Sequence, residues 1–81
     1  MLTMQKVEGE FPYRIRIDNL YGAGDSPARA AMAALSAGGK IPRGMRDASS
    51  AVTHLFWNYE PTANWVRLIH ILEHDTFEEE P

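Results

Sequence analysis

Five residues near the end of the chain, His70-Ile71-Leu72-Glu73-His74, are of the types that metal chemistry uses. Two imidazoles four positions apart point the same way on an α-helix. With the glutamate between them they give the order His-x-x-Glu-His, which occurs in zinc enzymes. A catalytic zinc needs three protein ligands and one open position. In enzymes with this order the third ligand is a carboxylate far downstream, and here only seven residues follow His74. His54 or Glu78 can be imagined as a third ligand, and no spacing demands either. On a strand the two histidines would share a face but stand about 13 Å apart, too far for one ion. The pattern is therefore read as polar residues on a solvated face, with no metal and no cofactor expected. Zinc chemistry through His70 and His74 is the remote enzymatic alternative.

Other chemistry finds less support. Gly22-Ala23-Gly24 lies between a strand and a helix, where phosphate-binding loops occur. The dinucleotide pattern needs a third glycine where this chain has Pro27, and no Gly-Lys-Ser/Thr follows. Asp25 would repel a phosphate at that place, so the stretch reads as a turn and a helix cap. No cysteine is present, and Ser26, Ser36, Ser49 and Ser50 all have capping or surface readings. His54 follows Ser50 by four residues, but no carboxylate is placed to orient it. The expectation is a protein that is not an enzyme.

Binding residues are easier to find. Trp57, Tyr59 and Trp65 fall within nine residues, and Trp and Tyr anchor many protein interfaces. Trp57 is the stronger candidate, because the helical pattern around it sets it off the apolar face. The end of the chain is acidic: residues 73–81 hold Glu73, Asp75, Glu78, Glu79 and Glu80 and no Lys or Arg, a charge of −5. Residues 1–72 carry +2, for a total of −3. Trp57, Tyr59 and these five acids form the expected partner-binding set. The alternative, a small nucleic-acid-associated regulator, would use Arg14, Arg16, Lys40, Arg43 and Arg46. A near-neutral body lacks the basic footprint of a dedicated nucleic-acid binder, so nucleic acid is the less favoured partner.

These residues need elements to position them. Residues 12–19 alternate, with Tyr13, Ile15 and Ile17 on one face and Arg14, Arg16 and Asp18 on the other, which predicts a half-buried strand. Residues 2–7 are a weaker upstream strand, because Pro12 interrupts the pairing. Gly22 and Gly24 read as strand breakers. Ser26 is an N-cap candidate and Pro27 fits the first helical position. The alanine-rich stretch that follows predicts a helix over 27–37, ended by Gly38-Gly39. Asp47 can cap a second helix over 47–57, in which Ala48, Ala51, Val52, Leu55, Phe56 and Tyr59 share a face. The β-rich composition of 52–59 leaves a βαββ arrangement open. Residues 65–72 fit a helix through Trp65, Leu68, Ile69 and Leu72, but Val66, Ile69 and Ile71 are β-branched. A strand at 12–19 needs partners, and that favours a strand at 65–72.

The outcome is an α+β fold: a small antiparallel sheet of 12–19, 65–72 and 2–7 packed against helices 27–37 and 47–57. Eighty-one residues make a single domain, with 75–81 a flexible acidic tail. No apolar run reaches membrane-spanning length and no signal peptide is seen, so the chain reads as soluble and cytoplasmic. Its size, lack of cysteine, alanine-rich helix and acidic end resemble, in composition alone, the small phage-encoded inhibitors of the anti-CRISPR type. That resemblance implies a non-enzymatic protein that works in the host cytoplasm and blocks a larger complex by occupying its surface. The residues independently suggest the same class, a protein-binding inhibitor or regulator of a larger partner. Homodimerisation through the aromatic cluster is credible for so small a core.

Overall fold

The computed structural model describes residues 2–77. Three strands come first, β1 (Leu2–Lys6), β2 (Tyr13–Ile17) and β3 (Leu20–Gly24). Three helices follow, α1 (Pro27–Ala37), α2 (Ala48–Asn58) and α3 (Ala63–His74). The strands form one antiparallel sheet in the order β1-β2-β3, so the α+β class holds. The strand over 2–7 forms, and the strand over 12–19 forms over its central residues.

Two expected elements are corrected. Residues 65–72 are helical, not a strand, and lie within α3. A strand would have sent Arg67 or His70 to the core face along with the apolar residues. The helical period instead buries Leu68, Ile69, Ile71 and Leu72 while Val66, Arg67 and His70 stay outside. Thr62 starts the helix, its Oγ1 accepting from the Trp65 N–H at 3.2 Å. The pairing partner that β2 needs is β3, built from residues read as strand breakers. Ile17 pairs with Leu20 across a two-residue loop, where Asp18 adopts a left-handed φ of 52°. Aspartate tolerates this conformation better than most residues. The strand alternative for 52–59 falls away as well, because α2 runs to Asn58.

Gly22 and Gly24 belong to β3 because α1 lies directly on them. A Cβ on Gly22 would sit 2.3 Å from the Ala30 carbonyl oxygen and the Ala34 nitrogen. One on Gly24 would sit 2.5 Å from the Ala30 nitrogen. Small residues on both sides bring the two backbones together, so Ala30, Ala31 and Ala34 are almost fully buried.

The sheet register sorts side chains onto two faces. Leu2, Ile17 and Leu20 share a level, as do Met4, Ile15 and Gly22. This face meets α1, which packs on β2 and β3; α3 lies against α1, and α2 against α3. Leu35, Ile41, Ala51, Val52, Leu55 and the apolar face of α3 complete the core. The opposite sheet face carries Thr3, Arg16 and Tyr21 at one level and Gln5, Arg14 and Ala23 at the next. No helix among the described residues is long and apolar enough to cross a membrane. No polar or charged residue among them is buried.

Candidate functional site

α2 begins at Asp47, whose carboxylate accepts from the Ser50 N–H at 3.1 Å and from the Ser50 hydroxyl at 3.0 Å. From that start, Ala51, Val52 and Leu55 turn inward. Trp57, two positions beyond Leu55, falls on the far side of the helix and is 83% exposed. Phe56 is 63% exposed beside it. A shallow hollow of about 410 Å³ lies next to the indole, with walls that include Met45, Ser50, Thr53, His54 and Asn58. The Asn58 side-chain amide donates to the His54 carbonyl at 2.8 Å, which ties down the last turn under the tryptophan. The arrangement is two exposed aromatic residues, consecutive in sequence, on a capped helix, with small polar side chains beside the indole.

Tyr59 does not join them. Its ring stacks on Trp65 at 5.6 Å with an interplanar angle of 19°, and both rings pack against the core. The Lys40 ammonium sits 5.3 Å from the Tyr59 ring centroid, a cation–π distance. Tyr59 and Trp65 thus close the connection between α2 and α3.

The acidic residues also separate. Glu73 is exposed on α3. Asp75 follows that helix with a left-handed φ of 53°. Its Oδ1 accepts from the Ala28 N–H at 2.8 Å, joining the end of α3 to the start of α1. Ser26 caps the same helix end, its hydroxyl accepting from Arg29 N–H at 3.2 Å. Asp75 therefore has an intramolecular role. Glu78, Glu79 and Glu80, and most of the expected flexible tail with them, lie outside the described residues.

The basic residues divide in the same manner. Arg43 and Arg46 are exposed on the connection between α1 and α2, and Lys40 is held over Tyr59. Arg14 and Arg16 stand on the open sheet face with Tyr21. Arg14 donates from Nη1 to the Tyr21 hydroxyl at 2.7 Å and from Nε to the Phe11 carbonyl at 3.1 Å. The five cations do not make one patch.

His70 and His74 come together. Their ring centroids lie 4.4 Å apart at 46°, where strand geometry would have separated them by about 13 Å. His74 Nε2 is 4.0 Å from Glu73 Oε2.

Sequence reasoning missed Phe56, Tyr21 and Val66 as exposed residues. Phe56 falls at the edge of the apolar arc of α2, so membership of that arc did not decide its exposure. Tyr21 was hidden by reading the glycines around it as a break. Once β3 is seen as a strand, alternation puts Tyr21 on the face of Arg16. No family model matches the chain, and neither a curated protein nor a solved structure does.

Proposed function

We propose that the chain is a non-enzymatic protein-binding module, an inhibitor or regulator of a larger protein complex, that docks through the outer face of α2. The observation that carries this reading is the exposure of Trp57 beside an exposed Phe56 on one rigid helix. A tryptophan that buries about 200 Å² at about 25 cal/mol per Å² gains about 5 kcal/mol of gross desolvation. Little entropy opposes it, since the helix is already formed and the ring has only two side-chain torsions to fix. The polar rim of Ser50, Thr53 and Asn58 suits a surround that excludes water from a central anchor. The resemblance in size and composition to small phage-encoded inhibitors supports the inhibitor form of the reading, with the host cytoplasm as its setting.

The test is affinity capture followed by titration against the recovered partner, using Trp57→Ala and Phe56→Ala. Trp57→Ala is expected to weaken the complex by about 2 kcal/mol or more, roughly 30-fold. Circular dichroism of the same variant should match the parent, because so exposed a side chain adds little to folding. A complex that tolerates both alanines would place the interface elsewhere.

A second reading rests on the open sheet face. Arg14 hydrogen-bonds only neutral groups there, the Phe11 carbonyl and the Tyr21 hydroxyl. Within the paired strand residues, the neighbours of Arg14 and Arg16 in register are Gln5, Ala23, Thr3 and Tyr21, none of them acidic. Two guanidinium groups beside a ring held by one of them suit single-stranded nucleic acid, with phosphates on the arginines and a base on Tyr21.

A further inference from the structure

The helical form of residues 63–74 sets Val66, His70 and His74 at successive four-residue steps along the outward side of α3. The centroids of the two imidazole rings are 4.4 Å apart. Zinc binds imidazole nitrogen at about 2.0–2.1 Å, so two tetrahedral ligands stand about 3.3 Å apart at their nitrogens. Small rotations about the side-chain torsions bring His70 and His74 to that separation without moving the backbone. Both rings are exposed, and Glu73 Oε2 lies 4.0 Å from His74 Nε2.

Charges of both signs meet at the place, with Arg67 on the wall of the groove that His70 also lines. His74 is the last residue of α3, where the unpaired carbonyls give a helix its partial negative charge. The Glu73 carboxylate is adjacent. The described residues of one chain do not supply a full coordination shell. No group of three or more metal-ligating side chains occurs among the described residues, whereas closed zinc sites have four ligands.

A second copy would supply the missing two. The outward side of α3 also borders a groove of about 300 Å³ whose walls include Met4, Val66, Arg67, His70, Ile71 and Phe77. Val66 is 58% exposed at its rim. This apolar strip is continuous with the histidine pair, so two chains brought together at the pair would cover it from both sides. We propose that His70 and His74 chelate one divalent ion of the zinc class. The same pair from a second copy completes a tetrahedral four-imidazole site, giving a metal-bridged dimer with a two-fold axis through the ion. This site is separate from the α2 face and stands or falls without it.

The test uses the full chain without a histidine tag. Molar mass is followed by light scattering during a zinc titration, with calorimetry for stoichiometry and cobalt(II) absorption for geometry. The expected result is one ion per two chains, a doubled mass that a chelator reverses, and the intense visible bands of tetrahedral cobalt. His70→Gln and His74→Gln should each lose the dimer at zinc concentrations that saturate the parent, and His54→Gln should retain it. Zinc bound at one ion per chain with no change of mass would overturn the proposal. So would an absence of zinc binding, or a dimer that survives both α3 substitutions.

Discussion

At the scale of single residues, Asp75 is the side chain whose role departs furthest from its setting in the sequence. Among acids at the end of a chain it reads as one more solvated charge. In the fold it has a left-handed backbone and accepts from Ala28 N–H. Asp75→Ala removes a cap worth about 1 kcal/mol and puts a residue type less tolerant of the left-handed region in its place, at about 1–2 kcal/mol more. A drop of about 2–3 kcal/mol in urea-unfolding stability is expected. Asp75→Asn keeps an acceptor and the backbone tolerance, so it should stay within about 1 kcal/mol of the parent. Equal losses in the two variants would show that the carboxylate charge, not the cap, matters. No sequence signal pointed to this contact, because its partners are 47 positions apart. Trp57 was legible: its place opposite Ala51, Val52 and Leu55 follows from the helical period alone. Tyr59 was not, since the ring it stacks on belongs to the next helix.

At the scale of elements, two stretches of the sequence misled for opposite reasons. β-branched residues favour strands only where a pleated surface awaits them, and in α3 the burial of Leu68, Ile69, Ile71 and Leu72 on one helical face outweighs that preference. Glycine in a strand marks either a break or a close approach, and Gly22 and Gly24 mark the second. The difference is invisible until the alanines of α1 are placed opposite them. Gly22→Ala tests this contact. The clash is with backbone atoms, the Ala30 oxygen and Ala34 nitrogen, so no side chain can rotate aside. The helix must lift from the sheet, and overpacking of this kind costs about 1–3 kcal/mol or more. Thermal unfolding should show a lowered midpoint; an unchanged one would mean that α1 is not seated on β3 in solution. By contrast, Ser26-Pro27 and Asp47 announced the starts of α1 and α2 correctly, because capping is a local matter of one side chain and the N–H groups just after it.

At the scale of the molecule, the helices cover one side of the sheet and leave Arg14, Arg16 and Tyr21 on the other. The α+β class was readable from one alternating strand followed by an alanine-rich helix. Which cations share a surface was not, because that depends on the sheet register and on which side the helices pack. The charge separation has a measurable result. If the open face takes single-stranded nucleic acid, each phosphate contact adds about 0.7 to the slope of log affinity against log salt. Arg16→Gln should then flatten the slope for a fluorescent oligothymidylate by about that amount, while Arg43→Gln leaves it unchanged. Absence of binding at low salt would remove this reading. The clasp between Ala28 and Asp75 also gives the fold a history in time. Synthesis at about 5–20 residues per second leaves the nascent α1 without that clasp for about 2–10 seconds, with only Ser26 tending its first turn. The first helix to be synthesised is thus among the last parts to be finished, its opening turn waiting on a residue that follows the third helix.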